Sequence, residues 1–177
     1  LIQSTHVDAV YIPLPVVVKK SWVIKTLISG KHVVIEKPVA MRAADYNEIL
    51  NAARIHHKFL LDGTMFPHHP RTSKIIDSLC ELGQVDRIEA NFTFLADQEF
   101  LDGSNIRARK DGDPHGCLGD LGWYCIRYAL MIFGKLGANV KSAQVVDFEV
   151  NKHGVPIDAV CVVRFENVSD FLKNCLW

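Results

Sequence analysis

The chain has 177 residues, enough for one domain or parts of two. Hydrophobic residues make up 49% and charged residues 23%, an ordinary balance for a folded protein, and 20 Lys+Arg offset 20 Asp+Glu. With no net charge and no basic stripe, nucleic acid is not an expected partner. The longest apolar run, residues 11–18, is too short to span a bilayer and holds two prolines, so no membrane is expected either. Five scattered cysteines without a CxxC pair read as reduced thiols, which points to the cytoplasm. The chain opens at Leu1 with its first Met at Met41, and reads as beginning partway through a domain.

Residues 7–12 (VDAVYI) form a β-rich apolar run ending at Pro13, and predict a buried strand. A helix follows over residues 19–28, with Trp22, Val23, Leu27 and Ile28 on its apolar side and Gly30 just past its end. Residues 32–35 predict a second buried strand, ending at Glu36-Lys37-Pro38. Asp45 with Glu48 three places on resembles a capping box, and Tyr46, Ile49, Leu50 and Ala53 make the stripe of a second helix. Residues 59–61 predict a third strand. Strands alternating with helices over short connections predict a parallel sheet.

The pattern changes after His69. Residues 70–82 predict a connecting helix stopped by Gly83, and residues 87–95 a long strand with Ile88, Ala90, Phe92 and Phe94 on one face. Residues 97–117 read as a loop and residues 119–133 as a helix. Residues 140–150 and 157–165 read as two strands joined by a turn at 151–154. At least three antiparallel strands are expected in this part. The predicted fold class is therefore α/β: the back half of a Rossmann parallel sheet, followed by an α+β domain with an open antiparallel sheet.

Ligands of open parallel sheets bind beyond the carboxyl ends of the strands. Lys37 stands at such an end, where partial burial suits a lysine to proton transfer. Its flanking Pro38 would fix its direction, and a cis bond there is one way to do so. A solvated strand-end lysine is the plainer alternative. On the later helix, Asp120 and Tyr124 are four residues apart and share a face with Arg127. A tyrosine close to a cation can exchange a proton with a carbonyl or alcohol oxygen. The plainer alternative is a surface tyrosine beside a capping Asp. The pairs His56-His57 and His68-His69 are adjacent rather than at chelating spacing, so no metal is expected.

Together the phrases IPLP (12–15), GKHVVIEKPVAM (30–41), LDGTM…HHPRT (61–72) and LGDLGWYCIR (118–127) resemble the glucose-fructose oxidoreductase/dihydrodiol dehydrogenase (Gfo/Idh/MocA) family, and especially its plant members. The resemblance covers about residues 7–166. It implies a cytoplasmic NADP- or NAD-dependent oxidoreductase that transfers hydride at a CH–OH group of a sugar or dihydrodiol, close to dihydrodiol or D-xylose 1-dehydrogenases, with a homodimer contact on the open sheet. It also implies roles for particular residues. Lys37, Tyr124 and Asp120 would be catalytic. Pro13, Leu14, Pro15, Glu36, Lys37 and Pro38 would border the cofactor, and Arg71 and Arg127 would contact substrate. The implied division is 1–68 for a partial cofactor domain, 69–166 for a substrate and dimerisation domain, and 167–177 for a divergent tail.

The chain departs from the family pattern in three places. No GxGxxG occurs, so the first strand and the pyrophosphate-binding turn are absent from these residues. Val16 and Lys19 stand where members usually carry Asn or Thr and His. The end after Glu166 also diverges. The chain is thus expected to be an N-terminally truncated member with an altered C-terminus. Two readings follow besides the enzyme: a truncated, non-catalytic product unable to bind dinucleotide, and a bare interaction partner.

Overall fold

A computed structural model describes residues 1–166. Strand β1 (Ala9–Ile12), helix α1 (Val16–Ile28), strand β2 (His32–Ile35), helix α2 (Ala43–Ile55) and strand β3 (Leu60–Asp62) follow in chain order. β2 lies in the middle, parallel to both neighbours, with Ile12 opposite Ile35 and Ile35 opposite Asp62. The three strands therefore deliver Pro13, Glu36 and Gly63 to one end of the sheet. The core beneath them is Val10, Ile12, Val23, Leu27, Val33, Ile35, Val39, Ile49 and Ala53, all largely removed from water. Burial of this apolar surface is what drives the β-α-β unit together.

Helix α3 (Pro70–Asp77) and a tighter turn over Ser78–Leu82 lead to Gly83, whose φ of 74° ends the run. Helix α4 (Trp123–Lys135) follows a wide π-type turn at Leu118–Gly122, and strands β4 (Asn139–Val150) and β5 (Pro156–Glu166) form an antiparallel hairpin. A second core of Leu79, Ile132, Phe133 and Leu136 joins α3, α4 and the hairpin, with Phe133 stacked on Phe165. The architecture is a Rossmann-type parallel sheet followed by a two-stranded antiparallel sheet.

Four expectations need correction. Residues 87–95 form no strand, so the second sheet has two strands among the described residues rather than three. Phe92 is 48% and Phe94 50% exposed, and no neighbour supplies the ladder an alternating segment needs. On α1 the buried stripe is Val16, Lys19, Val23, Thr26 and Leu27, whereas Trp22 and Ile28 are exposed. Asp45 does not cap α2, which begins at Ala43. Asp45 lies inside the first turn, bonded to Lys20 and Arg42, and Glu48 pairs with Lys20 instead of closing a capping box. Finally, Cys117, Cys125 and Cys161 are free thiols, but Cys80 is disulfide-bonded. The divergent tail at 167–177 lies outside the described residues.

Candidate active site

Lys37 leaves the carboxyl end of the central strand, and its bond to Pro38 is cis. Its ammonium donates to a carboxylate oxygen of Asp120 at 2.5 Å and to the Asp120 backbone carbonyl at 2.6 Å. The pair is largely enclosed, at 13% and 17% side-chain exposure, so water screens it little. The same ammonium stands 4.9 Å from the Tyr124 ring centroid, a cation over a π face. Residues 83 positions apart in the chain are thus joined across the two halves of the molecule.

The π-type turn at Leu118–Gly122 presents Asp120, and two glycines allow it. A Cβ on Gly119 would stand 2.9 Å from His115 Cβ and 3.0 Å from the Asp113 carboxylate. A Cβ on Gly116 would lie 2.0 Å from the Pro156 carbonyl, and Gly116 has a φ of 52°. Arg107 approaches the outer oxygen of Asp120 at 3.4 Å, so this carboxylate faces two cations. The Tyr124 ring is wedged between Phe66 and Phe92. Its hydroxyl has no hydrogen bond among the described residues. The ammonium of Lys37 sits over the tyrosine's ring, not beside its hydroxyl.

Around the strand ends, Glu36 accepts a bond from the Tyr11 hydroxyl at 2.8 Å and another from the Lys37 amide at 3.1 Å. The bond to Glu36 pushes the Tyr11 hydroxyl above the usual tyrosine range. Pro13 is exposed, Leu14 and Pro15 are half-buried, and Pro38 is buried. Arg127 reaches Asp62 at 3.4 Å, and its buried Nε has no partner among the described residues. Asp62 also accepts from the amide and hydroxyl of Thr64, whose oxygen accepts from the Trp123 indole at 2.8 Å. Arg71 is not drawn in: it is exposed, and its side chain has no ion pair among the described residues.

Arg107, Asp113 and His115 escaped the sequence reading, and Lys19 stood out there only as a departure from the family pattern. Lys19 is 1% exposed and donates to the carbonyls of Glu36 and Pro38 at 2.7 and 2.8 Å. Burial lowers its pKa to about 8, against the pull of Glu36 and Asp113. Its place three residues after Val16 and four before Val23 was the signal, one a purely apolar count passes over. Arg107 lies in the stretch read as loop. Asp113 and His115 brace the turn, with Asp113 accepting from the His115 amide and the His115 ring meeting the Met41 carbonyl at 2.9 Å. Burial raises the Asp113 pKa.

A cleft of about 280 Å³ opens beside Asp120, lined by Phe94, Phe100, Arg107, Cys117, Leu121 and Asp158. Lys37 and Tyr124 do not line it. A second cavity, of about 420 Å³, lies by α2 and β3 at His57 and Phe59. No cluster of His, Cys, Asp or Glu able to hold a metal occurs among the described residues, and none of their helices is long and apolar enough to cross a membrane.

Two family models meet on this chain. An oxidoreductase family with an NAD-binding Rossmann fold matches residues 1–64, and the GFO/IDH/MocA C-terminal domain matches residues 73–171. The chain belongs to the GFO/IDH/MocA family of oxidoreductases. Its relatives include a dTDP-3,4-didehydro-2,6-dideoxy-alpha-D-glucose 3-reductase from Streptomyces violaceoruber, 37% identical over 136 residues, covering 76% of this chain and 38% of the relative. A D-xylose 1-dehydrogenase (NADP(+)) from Haloferax volcanii is 30% identical, covering 76% and 40%. Among solved structures, a 3-ketoreductase from Actinomadura kijaniata in complex with NADP and TDP-benzene is 32% identical, with a TM-score of 0.67 over 80% of this chain and 42% of that one. The chain spans about two fifths of the length of the curated relatives it matches. The family is NAD(P)-dependent, and its members among these relatives act on sugar-related molecules.

Proposed function

We propose that this chain carries the acid–base half of an NAD(P)-dependent oxidoreductase acting at a CH–OH group of a sugar or dihydrodiol. One observation carries the reading: a strand-end lysine, a carboxylate and a tyrosine from opposite halves of the chain converge within one contact shell. When bound, the nicotinamide supplies or takes the hydride. Tyr124, whose hydroxyl has no hydrogen bond among the described residues and whose ring lies under a cation, exchanges the proton at the substrate oxygen. Lys37 holds the substrate hydroxyl and the ribose, and Asp120 aims Lys37. Arg127, steadied by Asp62 and with one donor unspent, contacts substrate, while Arg71 has a weaker claim to that role.

The residues at the strand ends fit one side of a nicotinamide. Pro13, Leu14 and Pro15 offer a partly exposed apolar edge at the carboxyl end of β1, with Glu36 and Pro38 beside it, in the place where open sheets bind ligands. A sugar substrate is supported by the relatives, whose names include a sugar-nucleotide reductase and a xylose dehydrogenase. The dihydrodiol stands on the motif resemblance alone. Residues 1–68 serve the cofactor, 69–166 serve substrate and dimer contact, and 167–177 form the tail. The open hairpin sheet, which presents Val145 and Phe148 on one face and Val160 on the other, each about half exposed, is the proposed homodimer surface.

A second reading has its own observation. These 177 residues contain no GxGxxG, and so no N-terminal helix turn to cradle a pyrophosphate. Taken alone, the chain is then a non-catalytic remnant. Dinucleotide titration of the 177-residue chain, followed by Trp22 and Trp123 fluorescence, decides between the two. No saturation is expected in the micromolar range. Micromolar affinity would show that the strand ends suffice to hold a dinucleotide without the Gly-rich turn.

A further inference from the structure

We infer that Lys19 is a positioning residue: from behind the sheet, its ammonium clasps the two carbonyls that bracket Lys37 and so sets where Lys37 points. The inference rests on the role proposed for Lys37 and deepens it. The two acceptors are the carbonyls of Glu36 and Pro38, at 2.7 and 2.8 Å, and only Lys37 lies between those residues. Residue 37 is then fixed at both ends, its backbone by Lys19 and its ammonium by Asp120. Catalytic groups need this kind of support, because a displacement of a fraction of an ångström already weakens proton transfer.

Packing alone does not account for a lysine here. Lys19 is 1% exposed, on the same buried stripe as Val16, Val23 and Leu27, where an aliphatic side chain would pack without desolvating a charge. An ammonium has three donors, and two of them go to these carbonyls. The charges acting on it are Glu36, Asp113 and Asp62, which favour the cation, and Lys37, which opposes it. Lys19 thus spans from α1 to the end of β2 as a strut.

The test is lysine-by-lysine acetylation with an N-hydroxysuccinimide ester, read by peptide mass spectrometry on the 177-residue chain and its variants. Lys37 should label slowly in the wild type. In Lys19→Met its rate should rise about tenfold, as expected when two charge-assisted bonds stop holding the backbone. In Lys19→Arg, which keeps donors for both carbonyls, the rate should return toward the wild-type value. Lys31, tied to the Ser4 carbonyl at the amino end of β2, away from Lys37, serves as the internal control and should not change. A merely structural role would raise Lys31 and Lys37 together. That result overturns the inference, as does wild-type labelling of Lys37 in folded Lys19→Met. If Lys19→Met does not fold, Lys19→Gln is judged by the same two rates. Labelling needs neither cofactor nor turnover, so failure of the enzyme reading would leave this result standing, and the reverse.

Discussion

Lys37, Asp120 and Tyr124 act as one unit because each restrains another. Asp120 takes the ammonium through both its side chain and its carbonyl, and the ammonium then lies against the tyrosine ring. All three residues were legible as motif residues, but their meeting was not, since nothing local in a sequence states which loop returns to which strand end. Lys19 was legible only as a departure from a family pattern. Its buried charge has a measurable consequence. Its pKa is depressed to about 8 in the folded chain, below the ordinary 10.5, so the unfolded chain binds the extra proton between those values. Stability from this group therefore rises as pH climbs from about 8 to about 10.5, and its desolvation cost is fully present below that window. Melting curves of wild type and Lys19→Met should differ in slope across that range, with the variant lacking the rise. Parallel curves would mean that the Lys19 pKa is not depressed.

At the scale of elements, alternation of apolar runs located the three parallel strands and their helices to within a few residues. It failed at 87–95, because alternation tells which face is apolar and not whether a neighbour exists to complete a ladder. The start of α2 was misplaced because Asp45 was read as a cap. It instead ties α1 to α2 through Lys20 and takes a second bond from Arg42. Those bonds hold its carboxyl down to about 2, from an ordinary value of 3.8. The stabilisation is present above the ordinary value and is lost as pH falls through about 2. Asp45→Asn should melt below wild type at pH 7, and the gap should close as pH approaches 2; a gap that persists there would point to packing instead. The turn before α4 makes a second demand. Gly116→Ala forces a methyl to 2.0 Å from the Pro156 carbonyl at positive φ, and should cost about 1–3 kcal/mol or more in urea unfolding. A neutral result would mean the turn and hairpin separate easily.

Across the whole molecule, two apolar cores sit on either side of the Lys37–Asp120 link, one under the parallel sheet and one between α3, α4 and the hairpin. Fold class was readable from the change of pattern near His69. The number of antiparallel strands was not, because exposed Phe92 and Phe94 look like core residues until their surroundings are known. The most direct test of the central claim joins this chain to a preceding strand, Gly-rich turn and helix of the Rossmann type, and measures kcat/KM with NADPH or NADP on a sugar substrate. Turnover should appear and should fall by roughly 10²–10⁴ in both Lys37→Met and Tyr124→Phe, the usual reach of an acid–base group. Turnover that survives Tyr124→Phe unchanged would contradict the claim.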